Sequence, residues 1–415
     1  MTFPPAAPAY TPTGRPLDTL VDELGAFREF GQATICEEIA MPGRPAVPVF
    51  VNEFWTSKQR AAHPLHEVSY RACFKPQLPR FFIGRLTRPG DLVYDPFMGR
   101  GTTLVEGALL GRRVAGCDVN PLSRVFTAPR LAAPAMEEVA ERLAGIDFAW
   151  NRGVREDLHV FYHRATLRQL TALRAYLLKR TASGRADHVD RWIQMVATNR
   201  LTGHSPGFFS VYTLPPNQAV SIESQRRINA KRGQKPEKRD VPALILKKTK
   251  QLLSELPAPR SALPASVLLT QSCDTTPQLA DDSVDLVVTS PPFLDTVDYA
   301  QDNWLRSWFC GIDPGAVSIW HLRNLAEWTA AMARTFRELH RLLRPGGHIA
   351  FEVGEVRHGT VRLEEQVLAA GTAAGLEPVL LLINAQQFTK TANCWGVSNN
   401  TKGTNTNRVV LFQKG

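Results

Sequence analysis

The stretch Asp95-Pro96-Phe97-Met98-Gly99-Arg100-Gly101-Thr102-Thr103 decides the fold of this chain. It follows the apolar run at residues 92–94 and precedes a helix-forming run that Gly111 ends. Gly99 and Gly101 have no Cβ, so the backbone can turn tightly and present its amides at a helix N-terminus. The stretch therefore predicts a strand, a glycine loop suited to a carboxylate, and a helix.

A second strand is predicted at residues 113–117, and it ends at Asp118. Nucleotide-binding α/β folds place an acid about 20 residues after the glycine loop, where it accepts hydrogen bonds from ribose hydroxyls. The pattern departs from Gly-x-Gly-x-x-Gly, however. On these residues alone, both a ligand-binding loop and a purely structural turn stay open.

A second polar loop, Thr289-Ser290-Pro291-Pro292-Phe293, follows the β-branched run at residues 284–288. The Ser290 hydroxyl and the Pro291 carbonyl can accept hydrogen bonds, and the two prolines fix the turn. Such acceptors suit an exocyclic amine, because hydrogen bonds from its N–H groups make the delocalised nitrogen more nucleophilic. Considered alone, the same residues could form a rigid turn with a packed ring.

Together the two loops resemble the cofactor loop and the catalytic loop of the cytosine-N4 and adenine-N6 DNA methyltransferases. Residues 63–121 are similar to the joined cofactor motifs of that family. The resemblance implies an α/β fold with a Rossmann-like class I methyltransferase sheet, seven-stranded and mixed, with its last strand antiparallel. It also implies S-adenosylmethionine as the cofactor. The residues that it assigns to the cofactor are Lys75, Pro76, Asp95, Phe97, Gly99, Gly101, Thr102, Thr103, Asp118, Asn120 and Asp274.

The resemblance also implies roles for single residues. Asp118 would hold the ribose, and Lys75 would belong to a motif that closes over the methionine end. Asp274 would lie near the adenine amino group, or it is a solvated loop acid. The catalytic residues would be Ser290, Pro291, Pro292 and Phe293. Phe293 would stack on a base swung out of the duplex. Serine at the first motif position is typical of cytosine-N4 enzymes, and Asp or Asn is typical of adenine-N6 enzymes.

Basic residues are concentrated in one window of a chain whose formal net charge is +10. Residues 225–250 hold ten lysines and arginines against Glu237 and Asp240, which gives +8. Such a cluster is expected to contact a phosphate backbone, although a solvated loop would look the same. The DNA-binding residues predicted in and beside this window are Arg226, Arg227, Lys231, Arg232, Lys235, Lys238, Arg239, Asn217 and Gln218.

Length and composition bound the remaining possibilities. The 415 residues are 44% hydrophobic, which suits a large buried core. No apolar run approaches the roughly 20 residues of a membrane span. The six cysteines lack metal-ligand spacing, so neither a metal site nor a disulfide framework is indicated. We expect a cytoplasmic protein with an N-terminal extension (1–50), a catalytic domain (51–131 and 257–415) and a helical and irregular basic insertion for target recognition (132–256).

The resemblance thus implies a site-specific DNA methyltransferase, a monomer or a dimer, that transfers a methyl group from S-adenosylmethionine to the exocyclic N4 of cytosine in duplex DNA after base flipping. A restriction endonuclease acting with it would be a separate protein. The alternatives are an adenine-N6 DNA methyltransferase, a tRNA guanine-N2 methyltransferase, and a nucleic-acid-binding protein that has lost catalysis. Both loops are intact, which argues against the last alternative.

Overall fold

A large mixed sheet forms the centre of the computed structural model, which describes residues 17–55, 62–70, 73–150, 152–213, 218–256, 266–294, 299–320, 322, 324–354, 361–385 and 406–415. Among these residues the sheet has nine strands, in the order β1-β2-β8-β9-β7-β6-β3-β4-β5. The strands are β1 Ile35–Ile39, β2 Val47–Asn52, β3 Leu92–Asp95, β4 Arg113–Asp118, β5 Ser266–Thr270, β6 Val284–Thr289, β7 Leu343–Val353, β8 Glu377–Ala385 and β9 Thr406–Gln413.

Strand directions confirm most of the predicted topology. The run from β5 through β4, β3 and β6 to β7 is parallel, and β9 is antiparallel to both β7 and β8. The carboxyl ends of five neighbouring strands therefore meet at one edge of the sheet. The order reverses at β3, since β4 lies on one side of it and β6 on the other. Open α/β sheets bind ligands at such a switch point.

The predicted count of seven strands was wrong for this sheet, because the N-terminal segment adds two more. Strand β2 pairs in parallel with β8, and β1 pairs antiparallel with β2. Val47 and Val49 are buried with one apolar cluster, while Phe50 is buried with another. Strand β2 thus contributes to the core and covers backbone groups that β8 would otherwise leave at an open edge.

Helices cover both faces of the sheet and build the inserted region. They are α1 Leu17–Gly25, α2 Gln77–Leu86, α3 Thr102–Leu109, α4 Pro121–Leu131, α5 Met136–Ala144, α6 Arg164–Ala182, α7 His188–Arg200, α8 Ile222–Arg232, α9 Val241–Leu252, α10 Tyr299–Asp302, α11 Trp304–Cys310, α12 Leu325–Leu342 and α13 Leu363–Ala373. Helix α12 buries Trp328 and Phe336 in one apolar layer, and α2 buries Phe82 and Ile83 in another. None of the helices in the described ranges is long and apolar enough to cross a bilayer.

The basic window is not irregular, contrary to the prediction, because it contains most of α8 and most of α9. The Ser221 hydroxyl accepts a hydrogen bond from the Ser224 amide at 3.1 Å and caps α8, which ends at Gly233 with φ +59°. The Asp240 carboxylate caps α9 by accepting from the Ala243 amide at 3.1 Å. These caps supply the donors and acceptors that a helix end lacks. The division of the chain into domains stays a prediction.

Candidate active site

Polar residues lie at the carboxyl ends of all five parallel strands. Asp95 ends β3, Asp118 ends β4 and Glu352 lies one residue before the end of β7. Asp274 and Ser290 follow β5 and β6. Because these strands are neighbours, five residues that are far apart in the sequence come to one edge of the sheet.

The glycine loop after β3 requires glycine at two positions. Gly99 has φ +48° and Gly101 has φ +74°, a region that side chains disfavour. A Cβ on Gly101 would also lie within 2.9 Å of three side-chain atoms of Thr127 on α4. A Cβ on Gly99 would meet no atom closer than 3.8 Å. The loop is therefore packed against α4 at Gly101 and has room beside Gly99.

Asp118 is half-buried, and backbone amides fix both of its carboxylate oxygens. The Gly99 amide donates to Oδ2 at 2.9 Å, and the Asn120 amide donates to Oδ1 at 2.8 Å. Burial raises the pKa of Asp118, and these two hydrogen bonds act in the opposite direction. Each oxygen has capacity for a further donor, such as a hydroxyl. The Asn120 side chain caps α4 by accepting from the Leu122 amide at 3.0 Å, and its contact with a cofactor stays a prediction.

The two loops lie side by side, because β3 pairs with β6 at Tyr94 and Val287. The Thr289 hydroxyl donates to the Asp95 carboxylate at 2.6 Å, and the Thr103 hydroxyl donates to the Val288 carbonyl at 3.0 Å. Asp95 is 1% exposed, and burial raises its pKa to about 7. Asp95, Thr102 and Thr103 are all buried, so their described contacts hold the two loops together inside the protein.

The catalytic loop predicted at Ser290–Phe293 is attached to α12. The Trp328 indole N–H donates to the Pro292 carbonyl at 2.8 Å. Pro291 is buried, whereas Ser290 and Phe293 are half-buried. Phe293 packs against the same apolar cluster as Phe97 and Trp320.

Trp320 is an aromatic residue beside the site that the sequence did not single out. Its ring lies edge-on to Phe97, with 5.9 Å between the ring centroids. It lies between α11 and α12, where nothing in the local sequence distinguishes it from an ordinary loop residue. Phe97 and Trp320 thus form an aromatic pair beside the predicted catalytic loop, which only the tertiary structure identifies.

The segment that contains Lys75 and Pro76 is held next to the glycine loop by Arg100 of that loop. The Arg100 guanidinium donates to the carbonyls of Val68 at 2.8 Å and Phe74 at 3.3 Å. Lys75 is exposed, and Pro76 is buried just before α2. The motif is therefore next to the loop, and the contacts of Lys75 and Pro76 with a cofactor stay predictions.

Asp274 lies in the loop after β5, beside the end of β4. The Gln271 amide donates to the Asp118 carbonyl at 3.2 Å, which joins the two strand ends. The Asp274 carboxylate accepts from the Ser272 hydroxyl at 2.6 Å and from Arg334 of α12 at 3.2 Å. It is thus an oriented acid, and its contact with an adenine amino group stays a prediction.

The basic residues predicted to contact DNA lie mostly on an exposed surface formed by α8 and the loop after it. Six of them are exposed and Arg239 is half-buried. The exposed ones are Arg226, Arg227, Lys231, Arg232, Lys235 and Lys238. Arg232 stacks on Tyr212, with 3.8 Å from the guanidinium carbon to the ring centroid. Gln218 is half-buried, and Asn217 lies outside the described residues. We call this exposed group the α8 surface.

Trp304 connects the chain just before α8 to the stretch that follows the catalytic loop. Its indole N–H lies 3.2 Å from the Ala219 carbonyl and 3.3 Å from the Val220 carbonyl. The Ala219 amide donates to the Asp302 carbonyl at 3.0 Å. The α8 surface is therefore tied to the segment between the catalytic loop and α11.

Glu352 is a site residue that sequence reasoning missed. Thr289 pairs with Phe351 across β6 and β7, so the next residues, Ser290 and Glu352, are neighbours. Ser290 is the first residue after β6, and Glu352 lies at the same level of β7. Asn407 of β9 donates its side-chain N–H to Glu352 at 3.0 Å. No local motif marks this acid, because its place beside Ser290 and Asn407 depends on the pairing of β6, β7 and β9.

The strand order, the glycine loop at the switch point and the polar loop after β6 define a Rossmann-like class I methyltransferase fold. Residues 46–123 match the model of a family described as DNA methylase. Over this range the chain is similar to the family of DNA methylases that act on N6 and N4 amino groups. The matched range includes the glycine loop and Asp118.

Curated methyltransferases are similar to the chain over short stretches. The chain is 36% identical over 76 residues to the type II methyltransferase M.MjaII of Methanocaldococcus jannaschii, covering 18% of this chain and 14% of that protein. It is 32% identical over 112 residues to the type II methyltransferase M.MvaI of Kocuria varians, covering 26% and 23%. It is 30% identical over 95 residues to a tRNA (guanine(10)-N2)-dimethyltransferase of Methanocaldococcus jannaschii, covering 19% and 27%. The matches thus span less than a third of each relative.

Proposed function

We propose that this chain is an S-adenosylmethionine-dependent DNA methyltransferase that modifies the exocyclic N4 of cytosine in duplex DNA. The observation that carries the proposal is the hydrogen bond from Thr289 to Asp95, which joins the glycine loop to the loop containing Ser290. Methyl transfer to an amine needs donor and acceptor held in one small space, because alignment supplies much of the rate.

The residues around the glycine loop fit the cofactor. The room beside Gly99 and the amides at the start of α3 suit the methionine part, and the half-buried Asp118 suits the ribose hydroxyls. When bound, S-adenosylmethionine supplies a methyl group activated by a positive sulfur. Trp320 and Phe97 form an aromatic wall on the side of the catalytic loop.

The target amine would be received by Ser290–Phe293. The Ser290 hydroxyl and the Pro291 carbonyl would accept hydrogen bonds from the amine, and Phe293 would stack on the flipped base. The α8 surface supports a nucleic-acid substrate, because exposed cations replace counterions on phosphates. The inserted residues 132–256, which carry this surface, are the proposed target-recognition region.

Two observations are the reason to test adenine in DNA and guanine in tRNA as substrates as well. Ser290 favours cytosine over adenine, but the family contains both specificities. The similarity to a tRNA (guanine(10)-N2)-dimethyltransferase favours tRNA as a second candidate substrate. Each of the three substrates would yield a different methylated nucleoside.

The test is methyl transfer from labelled S-adenosylmethionine to duplex DNA and to tRNA, followed by nucleoside digestion and mass spectrometry. We expect N4-methyldeoxycytidine from DNA. N6-methyldeoxyadenosine would overturn the cytosine assignment alone, and label in tRNA only would overturn the DNA assignment. Ser290→Ala should abolish transfer while cofactor binding persists. Ser254→Ala, an exposed hydroxyl at the end of α9, is the matched control and should stay active.

A further inference from the structure

Arg200, the last residue of α7, has a buried guanidinium group that is stacked on an aromatic ring. It is 7% exposed, and its guanidinium carbon lies 4.2 Å from the centroid of the Phe208 ring. Its Nε donates to the Asn199 carbonyl at 3.2 Å, whereas its two terminal nitrogens have no hydrogen-bond partner among the residues that the structure describes. Buried N–H groups without an acceptor are costly, so this position suits an acceptor that comes from outside the chain.

The ring beneath Arg200 is fixed by its own surroundings. Phe208 is buried and lies against the backbone of Gly203, where a Cβ would overlap the ring. The Phe209 amide donates to the Arg200 carbonyl at 2.9 Å, which holds the turn at residues 201–208 against the end of α7. The carbonyl end of a helix also favours a cation. The guanidinium plane is therefore oriented before any ligand arrives.

The charges around Arg200 leave a positive excess. Burial lowers the pKa of Arg200, and the carboxylate of Glu67 acts in the opposite direction. Glu67 pairs with Lys248 of α9, however, and accepts from the Gln251 side chain at 3.0 Å. Arg200 and Lys248 are both buried, whereas Glu67 is exposed. Two buried cations thus share one exposed carboxylate, which favours the approach of an anion.

The end of α7 is attached to the cofactor side of the molecule. The side-chain oxygen of Asn199 accepts from the Ser69 amide at 3.2 Å. Arg100 of the glycine loop donates to the carbonyl of Val68, the residue before Ser69. A segment of two residues thus joins the neighbour of Arg200 to the glycine loop.

The other side of Arg200 is connected to the α8 surface. Gly203, in the turn after α7, forms an isolated bridge with Tyr212. Arg232 of the α8 surface stacks on Tyr212, and the Gln225 side chain of α8 donates to the Tyr212 carbonyl at 3.0 Å. Contacts therefore run from the α8 surface through the turn to Arg200, and from there to the glycine loop.

We propose that Arg200 binds a backbone phosphate of the substrate DNA, at a point between the α8 surface and the glycine loop. This inference rests on the proposed function, and it adds a contact that the α8 surface does not include. The planar fork of a guanidinium matches two phosphate oxygens. Base edges are read by side chains that extend into a groove, whereas a phosphate on the outside of the duplex can reach a buried guanidinium.

The first readout is the salt dependence of binding to a fluorescein-labelled DNA duplex, measured by anisotropy without cofactor. Arg200→Gln should bind about 10-fold more weakly, because a charged hydrogen-bonded contact is lost. The slope of log affinity against log salt should fall by about 0.9, the value for one phosphate. Arg200→Lys keeps the charge and should keep the slope. An unchanged slope in Arg200→Gln, or an equal fall in Arg200→Lys, would overturn the inference.

The matched control is Arg174→Gln, which removes the same charge from another stacked guanidinium of the inserted region. Arg174 is half-buried, its guanidinium carbon lies 5.3 Å from the centroid of the Trp308 ring, and its Nε donates to the Trp308 carbonyl at 2.7 Å. Since Arg174 lies between α6 and α11, its loss should leave the slope unchanged. A fall equal to that of Arg200→Gln would show that any lost charge has this effect, and the inference would fail.

The second readout distinguishes a phosphate from a base edge. The affinity loss in Arg200→Gln should be the same for a duplex of A·T pairs alone and for one that also contains G·C pairs, because the phosphates of the two are alike. A loss confined to the duplex with G·C pairs would assign Arg200 to a guanine edge and overturn the phosphate contact. Should Arg200→Gln not fold, Arg200→Met, whose apolar side chain suits the Phe208 ring, replaces it with the same expected results.

These measurements also separate the inference from the proposed function. If the wild type methylates no DNA while the slope falls in Arg200→Gln, the proposed function fails and the phosphate contact stands. If N4-methyldeoxycytidine forms and the slope is unchanged in Arg200→Gln, the inference fails alone. A wild type that binds no duplex would overturn both.

Discussion

The hydroxyl of Thr289 donates a 2.6 Å hydrogen bond to the carboxylate of Asp95, across 194 residues of sequence. Both side chains are buried, at 0% and 1% exposure. The Phe97 amide donates to the same Asp95 oxygen at 3.1 Å. One carboxylate oxygen therefore holds the end of β6, the end of β3 and the start of the glycine loop together.

Burial of Asp95 should make stability depend on pH. The pKa rises from 3.8 to about 7 on folding, so between these values the folded protein holds a proton that the unfolded chain has released. The free energy of unfolding should therefore fall by a few kcal/mol as pH rises from about 4 to about 7. Asp95→Asn keeps the oxygen that accepts both bonds and should remove this slope. Urea unfolding at several pH values measures the free energy of unfolding of both proteins. If it changed with pH in the same way in the wild type and in Asp95→Asn, the argument would be contradicted.

A side chain at Gly101 should destabilise the fold by more than the backbone strain of a left-handed φ, because it would also overlap Thr127. Gly101→Ala should lower the free energy of unfolding by about 2–4 kcal/mol, since a left-handed φ and overlap with Thr127 add. Gly184, with φ +69° and open space around it, is the matched control. Gly184→Ala should cost about 1 kcal/mol. Equal costs in urea unfolding would show that Thr127 does not crowd the loop.

The two acids beside the glycine loop should differ in their effect on cofactor affinity. In Asp118→Asn the side-chain NH2 group faces one of the two backbone amides that now donate to Asp118, so one hydrogen bond is lost. Calorimetry should record an affinity for S-adenosylmethionine that is about 10- to 100-fold weaker. Asp274→Asn keeps an oxygen that can accept from an adenine amino group and gives up only its pair with the half-exposed Arg334. Its effect should be smaller. If Asp274→Asn weakened cofactor binding more than Asp118→Asn, the acid that contributes most to cofactor affinity would be the one after β5.

The α8 surface should set the salt dependence of DNA binding. Replacing Arg226, Arg227 and Lys231 by alanine should reduce the slope of log affinity against log salt by about 0.9 for each phosphate that is no longer neutralised. The matched control replaces Arg28, Arg44 and Arg88, which are exposed and remove the same charge. Fluorescence anisotropy at several salt concentrations measures both. Equal slopes in the two triple variants would remove α8 from the interface.

Local patterns in the sequence predicted the parts of the site that depend on neighbouring residues. The strand, glycine loop, helix and second strand around Gly99 and Asp118 are where the apolar runs and turn residues indicated. The same holds for β6 and the loop at Ser290. Each of these elements is specified by its own residues, so one sequence is enough to recognise it.

Features that depend on distant pairing were not predictable in this way. Strand β2 is stabilised by β8, more than 300 residues later, and the position of Glu352 beside Ser290 needs the register of β6 and β7. Helix α8 is a different case, because its cap at Ser221 and its stop at Gly233 are visible in the sequence. In that segment the many charged residues favoured the interpretation as an irregular stretch, although the helix-capping residues were present.

The two added strands also change what the molecule presents to its own copies. Among the described residues, strand β1 forms one edge of the sheet, and its side chains are largely exposed, including those of Glu37 and Glu38. Acidic groups along a border strand repel an identical strand that approaches to pair with it. The acidic side chains of β1 therefore disfavour pairing between this edge and the same strand of a second molecule.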